Sequence, residues 1–281
     1  MTARTVHRTH FRAAGQVSAP PRVRMRSWVV ADADTGRILG AHWRNRKLPQ
    51  ASTIKLLTAL TAADRVARFP RHRITRAEAH VTCTCAGLVV GRRYSRGALM
   101  GGMLVPSGND AAEALAGSDR RGRAAFIAAE NVEAGRLGAR NTWVVTPSGL
   151  TAQGAHSSAY DLAVFLRAAA ADPVVSPWLD DLRATVGPLG GRSHFVYRGH
   201  DYIRSYPGSL GKSGFTTPAK NTLAVITEVG GHRLVVTTLG APGGYSTSGT
   251  RALATWAADN FDRLGAVGQL PAVPQPAARQ H

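Results

Sequence analysis

Two β-hairpin signals stand at opposite ends of this chain, with helical patterning between them. The first runs Arg26-Ser27-Trp28-Val29-Val30-Ala31-Asp32, turns at Asp34-Thr35-Gly36-Arg37, and returns as Ile38-Leu39-Gly40-Ala41-His42-Trp43. Apolar runs around an Asp-x-Gly turn predict antiparallel strands, because these residues accept the backbone angles a tight turn demands. The second places residues 223–229 and 233–239 around Gly230-Gly231. In the middle, Ile54, Leu56, Leu57, Leu60 and Ala63 recur at helical spacing. Residues 111–115 follow a Gly-Asn-Asp start, residues 124–137 stop at Gly138, and Ser158-x-x-Asp161 has the capping spacing that opens a helix over 162–171. Residues 251–264 close the pattern as an amphipathic helix with Leu253, Trp256, Ala257 and Phe261 on one side. Each hairpin must bury an apolar face. The pattern therefore predicts one shared antiparallel sheet covered by helices on both faces, an α/β (α+β) architecture.

A chain of 281 residues with 44% hydrophobic content supports one large core. The charge is lopsided, 35 Lys+Arg against 17 Asp+Glu for a formal net charge of +18, which attracts anionic polymers of any kind. Part of the excess lies in Arg4, Arg8, Arg12, Arg22, Arg24 and Arg26, a stretch with no acid and no periodicity. Residues 1–25 thus read as a basic flexible tail, 26–264 as the folded unit, and 265–281 as a Pro/Ala-rich tail. No nucleic-acid motif accompanies the charge, so no nucleic-acid partner is expected. The basic start is not followed by an apolar export signal, and no run is long enough to span a membrane. Cys83 and Cys85, one residue apart, would on a strand lie too far apart for a relaxed disulfide, and are read as two small buried or half-buried thiols. His80 beside them does not complete a metal site.

Three short motifs carry chemistry. In Ser52-Thr53-Ile54-Lys55 a helix brings residues i and i+3 to one face, so the lysine amine reaches the serine hydroxyl. A serine needs a base to become a nucleophile, and a partly buried lysine serves as one when desolvation lowers its pKa. Ser209-Leu-Gly-Lys212 has the same spacing, so the motif alone also fits a solvated lysine. The chain has only four lysines, Lys47, Lys55, Lys212 and Lys220, against 31 arginines. Where charge alone is needed it uses Arg; a lysine hints at a removable proton. Ser107-Gly108-Asn109, after Met103-Leu-Val-Pro106, sets two polar side chains on one turn, and is equally compatible with simple helix capping. Gly211-Lys212-Ser213-Gly214 can present a cation, a hydroxyl and an open backbone at a strand edge, or form an ordinary turn.

In this order and at these gaps the three motifs form the signature set of penicillin-binding proteins and serine β-lactamases. Together with Leu48-Pro-Gln-Ala-Ser-Thr-Ile-Lys55, Thr146-Pro-Ser-Gly-Leu150 and Tyr206-Pro-Gly-Ser-Leu-Gly-Lys-Ser-Gly-Phe-Thr216, the chain resembles the low-molecular-mass D-Ala-D-Ala carboxypeptidases of peptidase family S11, especially actinobacterial members, from about Trp28 to Leu264. The resemblance implies a five-stranded antiparallel sheet between helical layers. It implies Ser52 as acyl-forming nucleophile, Lys55 as its base, and Ser107 and Asn109 as a proton relay and substrate-amide holder. Lys212 and Ser213 would bind a terminal carboxylate, with Gly214, Phe215 and Thr216 along the substrate strand and the N–H groups of Ser52 and Phe215 as an oxyanion hole. The implied partners are a peptidoglycan stem peptide ending in D-Ala-D-Ala and β-lactam antibiotics, with anionic envelope polymers as an electrostatic contact. No metal or cofactor is implied, and the substrate implies a site of action outside the cytoplasm.

Two departures stand out: Ser213 occupies a position where Thr is usual, and the export signal is missing. A β-lactamase of class A type should add a Glu-x-x-Leu-Asn loop, which the sequence lacks. A DD-endopeptidase and a non-catalytic basic wall-binding protein remain as other readings.

Overall fold

The computed structural model describes residues 9–10, 12–13, 17–65, 71–82 and 84–273. Its frame is one antiparallel sheet with five main strands: β1 (Ser27–Asp32), β2 (Arg37–His42), β3 (Leu210–Thr216), β4 (Lys220–Val229) and β5 (His232–Ala241). Their spatial order is β2-β1-β5-β4-β3, so the two hairpins join where β1 pairs with β5. Both turns follow from their residues. Asp32 accepts from the N–H groups of Asp34 and Thr35 and from the Thr35 hydroxyl. Gly230 and Gly231 both sit at positive φ, 59° and 79°, the geometry that matches the right-handed twist of the flanking strands.

Alternation along the strands feeds two cores. Val29, Ala31 and Val235 face a layer made by α1 (Lys55–Arg65), α2 (Arg96–Leu104), α3 (Asn109–Gly117), α4 (Gly122–Arg136) and α5 (Ala159–Ala171). Trp28, Val30 and Val236 face Leu253, Trp256 and Ala257 of α6 (Ser246–Asp259) on the other side. A strand buried on both faces needs apolar residues at every position, and the continuous run in β1 is of that kind. The capping signals act as read: Ser158 Oγ accepts from Asp161 N, and Gly138 beyond α4 adopts φ 82°. The closing helix begins and ends five residues earlier than its periodicity suggested, because Leu264–Gly265 leaves it to pair with Arg12–Ala13.

Among the described residues the sheet has seven strands rather than five. The outer edge of β2 is covered by two short pieces, Thr9–His10 and Gly268–Gln269. An uncovered edge leaves backbone donors and acceptors unpaired, and segments from both expected tails fill it. Met25 and Leu270 are buried, and Trp256 Nε1 donates to Ser18 O at 2.8 Å. The boundaries expected at 26 and 264 therefore fall inside ordered structure. The reading of two free thiols is also corrected. Cys85 is disulfide-bonded; its segment is irregular chain rather than a strand, so the separation fixed by a strand does not apply. Cys83 lies outside the described residues.

Candidate active site

Ser52 sits in a single 3-10 turn, Ala51–Ile54, that runs directly into α1. The turn is tied down from both ends. Gln50 O accepts from the hydroxyls of Thr53 and of Thr222 on β4. Ala51 is held at φ 49°, a left-handed conformation costly for a residue with a Cβ and kept only where its surroundings impose it. One turn later Lys55, fully buried, brings its Nζ to 3.0 Å from Ser52 Oγ.

The Ser107-Gly108-Asn109 turn meets these two residues from above α3. Lys55 Nζ lies 2.8 Å from Ser107 O, 2.7 Å from Asn109 Oδ1 and 3.4 Å from Ser107 Oγ. From the edge strand β3, Lys212 Nζ donates to Ser107 Oγ at 2.8 Å and to Ser213 O at 2.8 Å. Ser107 is itself at φ 71°. Thus Ser52, Lys55, Ser107, Asn109 and Lys212, spread over 160 positions of sequence, converge on one cluster in which two buried amines flank one hydroxyl.

Proton counting shows what the cluster can do. A carbonyl and an amide oxygen only accept, so Lys55 must donate to Ser107 O and Asn109 Oδ1. A neutral amine has two N–H groups and one lone pair. With both N–H groups spent, the lone pair is left for the Ser52 hydroxyl. Burial lowers Lys55 to about 7, against the opposing pull of Asp110 and Glu113. Burial, then the charges of Lys55 and Arg198, push Lys212 well below the usual lysine range. The site is therefore built to hold a lysine that gives up its proton near neutral pH.

The other expected residues take distinct places. Gly214 carries no side chain where one would strike Ser52 N and Thr222 Oγ1, and this close approach lets β3 lie against the serine turn. Ser213 joins the network through its main-chain carbonyl. Phe215 is exposed, and Thr216 Oγ1 accepts from Ala219 N in the β3–β4 turn. Asn109, expected to hold a substrate amide, places Oδ1 on Lys55 and one N–H of Nδ2 on Thr82 O at 2.7 Å, which leaves its second N–H for a ligand.

Several neighbours carried no motif of their own. Ser148 O lies 3.5 Å from Ser52 Oγ, and Ser148 Oγ donates to Glu113. Asp110 accepts from Ala86 N and Leu88 N, anchoring the chain that follows Cys85 over α3. Arg198 donates to the carbonyls of Trp178, Asp181 and Gly211, fixing β3 from behind Lys212. Thr146-Pro-Ser-Gly-Leu150 was the signal for Ser148, and the Gly-Asn-Asp helix start for Asp110; Arg198 had none.

Residues 14–243 match the family model for D-alanyl-D-alanine carboxypeptidase, peptidase family S11. The chain belongs to the D-alanyl-D-alanine carboxypeptidase family. A D-alanyl-D-alanine carboxypeptidase of Mycobacterium tuberculosis, DacB2, is 36% identical over 226 residues, covering 79% of this chain and 77% of the relative. A solved D-alanyl-D-alanine carboxypeptidase structure from M. tuberculosis superposes with TM-score 0.82 at 33% identity, covering 92% of this chain and 99% of that one. A D-alanyl-D-alanine endopeptidase of Pseudomonas aeruginosa is 29% identical, covering 78% of this chain and 72% of the relative. The antiparallel sheet with helices on both faces is the fold this chain shares with that solved structure.

Proposed function

We propose that this chain removes the terminal D-Ala from peptidoglycan stem pentapeptides by acyl transfer to Ser52, and is acylated there by β-lactams. The observation that carries the reading is the buried Lys55 Nζ held 3.0 Å from Ser52 Oγ, with its other close contacts going to oxygens that only accept. Lys55 takes the hydroxyl proton as Ser52 Oγ bonds to the penultimate D-Ala carbonyl carbon. The N–H groups of Ser52 and Phe215 receive the developing oxyanion. The scissile C–N bond breaks as Ser107 passes a proton to the departing amine, replenished from Lys55. Lys212 and Ser213, with Gly214 and Thr216 along the same strand, receive the free carboxylate that marks a chain end. Asn109 orients Lys55 through Oδ1 and holds the substrate amide through the second N–H of its Nδ2. Water then releases the shortened peptide by the reverse proton route. No metal or cofactor enters these steps.

Incubation with fluorescent penicillin tests the reading. Labelling of the wild type that disappears in Ser52→Ala supports it; equal labelling of both, or of neither, sinks it. D-Ala release from a pentapeptide, set against cleavage of a cross-linked dimer, then separates carboxypeptidase from endopeptidase.

Action outside the cytoplasm is part of the proposal. The substrate and the disulfide at Cys85 support it, since such bonds persist in oxidising compartments. Among the described residues no helix is long and apolar enough to cross a membrane. The net charge of +18 supports electrostatic retention by anionic envelope polymers.

A further inference from the structure

Behind the serine turn lies a carboxyl group that the proposed chemistry does not use. Glu130, on the inner side of α4, is wholly buried. Its Oε1 stands 2.6 Å from Thr58 Oγ1, and its Oε2 has no hydrogen-bond partner among the described residues. Thr58, one turn beyond Lys55 on α1, also lies 2.8 Å from Pro147 O and 3.4 Å from Ile54 O. The hydroxyl has one proton and the carbonyls have none. If Glu130 were ionised, Glu130 and Pro147 O would compete for that proton, and one short contact would set acceptor against acceptor in a dry interior. If Glu130 is neutral, each of the two short contacts, to Glu130 and to Pro147 O, receives its own proton.

We propose that Glu130 is a positioning residue that acts as a neutral acid: its O–H donates to Thr58 Oγ1, Thr58 donates to Pro147 O, and this relay pins the 146–149 segment behind Ser52. The inference rests on the reading of Ser52 as the nucleophile. The pinned segment matters because Ser148 O lies 3.5 Å from Ser52 Oγ, and Ser148 Oγ donates to Glu113 at 3.2 Å. Gly149, at φ 78°, packs so closely that an added Cβ would collide with the Ala51 carbonyl. Drift of 146–149 would therefore move the turn that carries the nucleophile. Burial raises the Glu130 carboxyl to about 8; Thr58 and Arg123 oppose the shift and Glu113 adds to it. The charged groups bearing on Glu130 are Glu113 from α3 and Arg123 from its own helix, and Arg123 is already paired with Glu113. From α1 and the 146–149 segment it meets Thr58 and Pro147, neither of which titrates in this range.

Wild type, Glu130→Gln and Glu130→Leu, compared across pH, test the relay. Gln keeps a donor without a charge; Leu keeps apolar bulk without a donor. The folded-state carboxyl holds its proton up to about 8, whereas the unfolded one loses it near 4.5. Stabilisation from the bound proton is thus complete below about 4.5 and eroded as pH rises through about 8. The melting temperature of Glu130→Gln should therefore gain steadily on wild type over that window. Lys55 and Lys212 are present in all three proteins, so the variant-to-wild-type ratio of penicillin acylation rates isolates Glu130. That ratio should rise for Gln above about pH 8, and Leu should acylate about tenfold more slowly than wild type at neutral pH. A melting difference that is flat with pH, or a Leu variant that acylates at the wild-type rate, would overturn the proposal. If wild type takes no penicillin at any pH, the nucleophile reading fails instead, and the melting comparison still decides the state of Glu130.

Discussion

Lys55 shows how a single side chain is tuned by its surroundings. Its amine is desolvated on all sides, yet three oxygens within 3.0 Å define where its protons go. Below about pH 7 the third proton occupies the direction of Ser52; above it, that direction holds a lone pair. Acylation by penicillin should accordingly rise with pH through a midpoint near 7, read as the second-order labelling rate. Lys55→Arg should lose roughly a thousandfold of that rate, because guanidinium keeps its charge and cannot accept a proton. A variant that retains its rate would remove the base from Lys55. This residue was legible in the sequence through its spacing from Ser52 in a chain so poor in lysine, and Lys212 through the Gly211-Lys212-Ser213-Gly214 motif. Ser148 was marked only as part of Thr146-Pro-Ser-Gly-Leu150, and Glu130 was not marked at all. Glu130 stands at no spacing that implies a partner, and its neighbours in space come from α1, α3 and the 146–149 segment rather than from nearby sequence.

At the scale of elements, the active site is a junction of three backbones: the 3-10 turn at Ala51–Ile54, the turn at Ser107, and the edge strand β3. Hairpin turns, caps and buried strands were legible because each rests on residues adjacent in sequence. The convergence of the junction was legible only through the order of three motifs, and its closeness depends on Gly214. A Cβ there would come 2.6 Å from Ser52 N and 2.7 Å from Thr222 Oγ1. Gly214→Ala should push β3 away from the turn and misplace Ser52 N–H, costing on the order of a hundredfold in acylation rate. Thermal melting should move little, since β3 is an edge strand whose partner β4 is held elsewhere by β5. Acylation at the wild-type rate would show that the strand need not touch the turn. The short strands that finish the β2 edge were illegible for a related reason. Two residues carry no periodicity, and only the unpaired edge in three dimensions gives them a role.

For the whole molecule, the sheet order separates chemistry from closure. The site lies at the β3 edge, and the strap formed by Gly268–Gln269 pairs with the outer edge of β2, five strand spacings or about 24 Å away. The strap is held by more than pairing. Leu270 is fully buried, Arg44 Nη1 donates to Val267 O, and Arg167 spans the carbonyls of Ala33, Asp34 and Pro271. One arginine thereby ties the β1–β2 turn, α5 and the C-terminal strap together. If the strap is an integral part of the fold, Leu270→Ala should cost roughly 2–4 kcal/mol in urea unfolding, the range for emptying a buried leucine site. It should leave the acylation rate of the folded protein unchanged, because no strand between the two edges has to move. Gly214→Ala should do the reverse, and the double variant should show the two effects added, as expected for distant sites with no shared partner. If Leu270→Ala slowed acylation as well, the sheet would be transmitting strain across its full width, and the two edges could not be treated as independent.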